Sequence, residues 1–250
     1  MRQRHLSTAS SRRPRPIGYL GRRELAPKKD GGGTSVIAWV KNFGPMGGGG
    51  SKEETVFYYF SHGQCQDALD TARNTTFTPD ENGEIPLPGP LRSLYVAASS
   101  ACLAAFHKDG DLWKQAEQNY EQARVNRIGY TCGDQQVFLA LESIITAYRS
   151  GVRTFSQKAG GSVCPILEST TPSHGNRAGG YEITLRGTNL TEGDFFYWCG
   201  KIMRIGKTDG KSFRAIVPPR SHLGDSCDHV DLRMKNGYPI RWEAFFDYDS

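Results

Sequence analysis

The sequence contains no apolar run approaching the roughly 18 residues that a membrane-spanning helix requires, and its N-terminus lacks an apolar core of signal-peptide length. These two absences predict a soluble intracellular protein, cytoplasmic or nuclear, with no membrane insertion. Cysteine is sparse: Cys65, Cys102, Cys132, Cys164, Cys199 and Cys227 are spread over 250 residues with no CxxC pair. That spacing argues against a disulfide scaffold and makes reduced, mostly buried thiols the expectation. Catalytic signatures are missing as well. There is no Gly-x-Ser-x-Gly elbow, no His-Glu-x-x-His helix and no dinucleotide fingerprint. The glycine run Gly47 to Gly50 leads into Ser51-Lys52 and not into a Gly-Lys-Ser/Thr triplet, so it fails as a phosphate loop and reads as linker. Neither an enzymatic activity nor a cofactor is expected.

Metal ligation is weakly supported. His62 with Cys65, and Cys227 with His229, each offer half of a zinc set, but neither finds a second pair at standard spacing. Asp225, Asp228 and Asp231 read as a solvated rim rather than a calcium loop. No metal site is predicted.

Charge divides the chain into three parts. Residues 1–51 carry ten Lys/Arg against two Asp/Glu, residues 52–163 ten against thirteen, and residues 164–250 eleven against eleven. The basic excess therefore belongs to an N-terminal arm containing Arg2, Arg4, Arg12, Arg13, Arg15, Arg22 and Arg23, interrupted by Pro14 and Pro16. Such a segment cannot bury enough apolar surface to fold alone. It reads as a disordered tail, as an organelle-import presequence, or as an arm for nucleic acid or an acidic partner. The arm and a glycine-rich linker, with Val36 to Val40 as an isolated strand, make up residues 1–51.

Residues 52–158 read as a small, mainly helical domain. The β-branched and aromatic run Thr55 to Phe60 is first assigned to a strand or short buried segment. Beyond a proline-rich loop, Leu91, Tyr95, Cys102 and Phe106 recur on one helical face, beside a small-residue face of Ala98, Ala101 and Ala105. Asp111 is placed as the cap of a second helix with Trp113, Ala116, Tyr120 and Ala123 inward. Asp134 is placed as the cap of a third, which Gly151 stops. The second helix loosely resembles that of a tetratricopeptide hairpin, although no second 34-residue period is visible.

From residue 163 to 250 the period changes to two. Tyr181, Ile183 and Leu185 alternate with Glu182, Thr184 and Arg186, and Val230, Leu232 and Met234 with Asp231, Arg233 and Lys235. Turn signals divide the region into about seven short strands, the pattern of an antiparallel sandwich. Asn236-Gly237 is assigned to a hairpin turn with both residues at positive φ.

The segment Cys164-Pro165-Ile166-Leu167 through Pro172-Ser173-His174-Gly175, then Gly179-Gly180-Tyr181 through Gly187-Thr188-Asn189-Leu190, resembles the opening of an IPT/TIG domain: a strand, a Pro-x-x-Gly turn, a double glycine and a second strand. Leu190 stands where that family usually has an aromatic. Later landmarks follow in order at Phe196 to Gly200, Phe213 to Pro219, Val230 to Gly237 and a closing strand Trp242 to Tyr248. The resemblance implies an immunoglobulin-like β-sandwich whose relatives chiefly pair with other proteins. The predicted fold class is thus α+β in several parts, a small helical unit followed by a sandwich of IPT/TIG type.

Four consecutive aromatics, Phe195, Phe196, Tyr197 and Trp198, place two side chains on each face of a strand. One pair belongs to the core. The other, joined by Trp242 if the closing strand is adjacent, is a candidate interface. The predicted function is a non-enzymatic protein-interaction or scaffold protein, for instance a subunit of a larger assembly. The alternative is a nucleic-acid-associated regulator using the basic arm.

Overall fold

The structure is a computed structural model that describes residues 28–30, 33–40, 51–74, 87–160, 163–224, 227–237 and 244–249. The arginines of the basic arm and Trp242 lie outside the described residues. The architecture is mixed α and β, with a helical part preceding a β-rich C-terminal region.

Helix α1 spans Lys52–Ser61 and overturns the strand assigned to Thr55–Phe60. Its start is fixed by a capping box. The Glu54 N–H donates to Ser51 Oγ at 3.3 Å, and the Ser51 N–H donates to Glu54 Oε2 at 3.1 Å. Val56, Phe57 and Phe60 then fall on one buried stripe, so cap and periodicity outweigh the β propensity of the individual residues. Helices α2 (Cys65–Arg73), α3 (Gly89–Phe106), α4 (Leu112–Asn126) and α5 (Cys132–Arg149) follow. The small-residue helix α3 is the centre of this unit, buried from Leu94 to Ala105 and packed by α2, α4 and α5. Ala116, Tyr120 and Ala123 face it from α4, and Trp113 stacks on Tyr148 with ring centroids 3.8 Å apart. Thr131, not Asp134, caps α5, and Asp134 is the third helical residue of another capping box.

The strand expected within Val36 to Val40 is present but not isolated. Strand β2 (Thr34–Ala38) pairs antiparallel with β1 (Lys28–Asp30) and parallel with β3 (Thr154–Lys158). Ile37, Trp39 and Val40 enter the helical core. Trp39 stacks on Phe60 at 4.6 Å and donates its Nε1–H to the Phe60 carbonyl at 3.2 Å.

The C-terminal region holds β4 (Ile166–Thr171), β5 (His174–Gly175), β6 (Glu182–Thr188), β7 (Phe195–Trp198), β8 (Lys201–Arg204), β9 (Ser212–Ile216), β10 (His229–Met234) and β11 (Ala244–Tyr248). They form a three-stranded sheet, β4-β6-β9, and a five-stranded sheet, β5-β11-β10-β7-β8. Leu167, Leu185 and Phe213 from the first meet Phe196, Trp198, Leu232 and Phe246 from the second in one core. The β7–β8 turn places Cys199 and Gly200 at φ 45° and 76°, the two-residue arrangement that suits strand twist. Asn236 and Gly237 lie in the turn that follows β10. Their turn is used to meet α5.

All six cysteines are paired: Cys65 with Cys102, Cys132 with Cys164 and Cys199 with Cys227. This corrects the expectation of reduced thiols. Partners lie about thirty residues apart in sequence, without a local motif, yet the fold brings their Cα atoms to 5.6–6.1 Å, the range a disulfide spans. Three disulfides fit a non-reducing environment, and the expected cytoplasmic or nuclear location is not confirmed. Among the described residues, no helix is long and apolar enough to cross a membrane.

Candidate functional site

The aromatic strand β7 resolves into two faces. Phe196 and Trp198 are fully buried, which removes them from the candidate interface and makes them core. Phe195 is 39% exposed and Tyr197 half-buried on the opposite face. Register extends that face across the sheet. Tyr197 lies opposite Ile202 on β8 and Arg233 on β10, Phe195 lies opposite Arg204, and Phe245 on β11 lies opposite Asp231. Ile202 and Phe245 are 49% and 51% exposed.

Cations are laid over these rings. The Arg233 guanidinium sits 5.2 Å from the Tyr197 ring centroid and the Lys235 ammonium 5.6 Å from that of Phe195. Towards β11, His229 stacks on Phe245 at 5.7 Å while its Nδ1 contacts Asp247 Oδ1 at 2.6 Å. The face is therefore aromatic and cationic over β7, β8 and β10, where the solvent side of such a sheet is ordinarily polar.

At one border this face meets the helical unit. The Cys132 N–H donates to the Asn236 carbonyl at 3.2 Å and the Gly133 N–H to the Gly237 carbonyl at 3.1 Å. The Asp134 N–H is taken by Thr131 Oγ1 at 3.2 Å. The first three N–H groups of α5, which no helix satisfies internally, are thus supplied partly by the C-terminal turn. The Cys132–Cys164 bond ties the same helix end to the segment entering β4.

Beside it lies a group of acids. Asp134 is buried and accepts from Tyr95 Oη and Thr131 Oγ1, each at 2.7 Å. Burial pushes its carboxyl above the usual range despite those bonds. Glu54 is buried, with Arg233 Nη1 3.7 Å from its Oε1. Burial, with Asp134 and Glu54 nearby, raises Glu53 to about 7, and Arg233 partly offsets the rise. The Tyr95 hydroxyl is driven well above 10, first by burial and then by Asp134. Sequence periodicity gave no signal for this group, because its members come from α1, α3, α5 and β10.

Most of the residues weighed as metal ligands are otherwise engaged, and Asp225 lies outside the described residues. Cys65 and Cys227 are in disulfides, and His62 Nδ1 contacts the Tyr58 carbonyl at 2.8 Å. Asp228 accepts from Arg177 and Arg220 at 2.9 and 2.8 Å, and the Arg220 hydrogen bond leads in holding its carboxyl below the usual range. Among the described residues, Cys65, Cys102 and His107 bring their ligand atoms within 4.8 Å of one another, but two of those three donors are spent on the disulfide.

No protein family matches the chain, and no curated protein does. Among solved structures, it is similar to the full extracellular region of plexin A4, at 15% identity and a TM-score of 0.29. The likeness covers 39% of this chain and 8% of that one. At that score it carries no argument about function.

Proposed function

We propose that this chain is a non-enzymatic protein-interaction protein of an oxidising environment. In this reading the two C-terminal sheets are an immunoglobulin-like sandwich of IPT/TIG type, and the helical unit with its α3–α4 hairpin is the base on which it is mounted. The observation that supports it is the outer face of the five-stranded sheet. Phe195, Ile202 and Phe245 are exposed on one face, with Tyr197 half-buried between Arg233 and Ile202. Aromatic and arginine side chains grouped in this way are the usual anchors of protein interfaces. The three disulfides support the assignment of environment.

The test compares the two faces of β7 in the oxidised full-length protein. Truncating Phe196 or Trp198 to Ala should cost about 3–5 kcal/mol. Phe195→Ala with Tyr197→Ala should leave a folded protein that no longer retains its co-purifying partner. Retention of that partner by the double variant would overturn the reading. Binding that instead falls steeply with salt and requires the arginine arm would favour the nucleic-acid alternative.

A further inference from the structure

Strand β8 is an edge of the five-stranded sheet, and the direction of its backbone groups follows from two hydrogen bonds. The Lys235 N–H donates to the Phe195 carbonyl at 2.9 Å, so Phe195, and Tyr197 two residues on, turn their backbone groups toward β10. The Ile205 N–H donates to the Asp194 carbonyl at 2.7 Å, so the alternate residues of β7 serve β8. Ile202 and Arg204, which lie opposite Tyr197 and Phe195, therefore aim their own N–H and C=O groups away from β7. Among the described residues, no strand lies on that side.

The other edges around this core are less open. Strand β5 has two residues. Phe213 of β9 is bridged by Thr208, and β4 is tied to β11 where Thr170 Oγ1 donates to the Phe245 carbonyl at 2.8 Å. An unprotected edge is a template for another strand.

Resting on the interaction reading above, we propose that the β8 edge takes an extended, acidic segment of a partner protein as an added strand. The charge around the edge selects the sign. Lys201 and Arg204 on the strand, Lys207 beyond it and Lys235 alongside are exposed, against the exposed carboxylates of Glu192 in the loop before β7 and Asp209 beyond Lys207. A second copy of this chain would bring two cationic edges side by side, each carrying Lys201 and Arg204, which like charges disfavour. Single-stranded nucleic acid fits less well, because stacking requires open ring faces and those of Tyr197 and Phe195 already carry Arg233 and Lys235.

The probes are a short synthetic peptide alternating Glu and Val, its Lys/Val counterpart, the acidic peptide N-methylated at alternate residues, and a short oligothymidine. Each is added to the oxidised full-length protein, and amide exchange is read residue by residue. The acidic peptide should slow exchange at Ile202 and Arg204. The basic peptide should bind about tenfold more weakly or not at all, and the N-methylated peptide should give no protection. Lys201→Glu with Arg204→Glu should weaken the acidic peptide by about tenfold. Ile202→Pro should remove the protection while leaving the fold intact, because residue 202 donates nothing to the ladder.

Failure of the acidic peptide to protect these amides, equal binding of the basic peptide, or protection of the same amides by oligothymidine would overturn the inference. The co-purifying partner separates the two readings. If Ile202→Pro keeps a partner that Phe195→Ala with Tyr197→Ala loses, the face binds without strand addition, and only the inference fails. If all these variants keep it, the interaction reading of this face fails as well.

Discussion

Replacing Glu53 by Gln isolates the cost of ionising a carboxylate at the meeting of α1, α5 and β10. Burial is the main cause of its rise from 4.5 to about 7, with Asp134 and Glu54 adding to it and Arg233 opposing it. A tenfold change in proton affinity is about 1.4 kcal/mol, so the full difference corresponds to at most about 3 kcal/mol. The folded protein holds this proton more tightly than the unfolded chain. The stabilisation is therefore complete below the unfolded value of 4.5 and is lost as pH rises through about 7. Glutamine has nearly the shape of the protonated acid at every pH. Urea unfolding should give Glu53→Gln and the natural protein similar stabilities at about pH 4.5, with the variant gaining by up to about 3 kcal/mol at about pH 8.5. Parallel pH profiles, or a variant that is less stable at high pH, would refute the reasoning.

Removing the Cys132–Cys164 bond by a double substitution to Ser should lower stability by about 3–4 kcal/mol on loop entropy, since 32 residues separate the two, and should speed amide exchange at Cys132 and Gly133. Gly179→Ala should cost at least about 1 kcal/mol in thermal unfolding, because φ is +61° and the new Cβ would meet the Pro218–Pro219 backbone at 2.6 Å. Arg233→Gln should destabilise the protein more at about pH 8.5 than at about pH 5, because Glu53 is then ionised and loses the cation that offsets it. An equal loss at both values would mean that Arg233 acts through Tyr197 and Glu54 and not through Glu53.

Local periodicity made much of this fold readable. The stripes of α3 and α4 and the alternation in β6 and β10 bury Tyr95, Cys102, Ala116, Tyr120, Ala123, Ile183, Leu185, Val230, Leu232 and Met234, while Leu91, Phe106, Trp113 and Tyr181 are partly buried. Helix α1 was misread because Val56, Phe57, Tyr58, Tyr59 and Phe60 each favour strands, while the opposing signal, Ser51 followed by Glu54, lies at its start. What periodicity could not supply was pairing at long range. Strand β2 is held by the distant β3, and the disulfides join residues with no motif between them. The two faces of β7 were legible from alternation, whereas their sense was set by Phe213 and Phe246 packing on Phe196 and Trp198.

Arg233 links the aromatic face to the acids of α1. Its guanidinium lies over Tyr197 on one side and 3.7 Å from Glu54 on the other, so it is held in place by both. Ionisation of Glu53 strengthens the pull toward α1, while the ring attracts the same charge at a longer range. Because the Asn236–Gly237 turn also closes the end of α5, β10 and α1 cannot part without exposing both Glu54 and the first N–H groups of that helix. The helical unit therefore fixes the outer face of the sheet through one shared cation, two backbone hydrogen bonds and the Cys132–Cys164 bond.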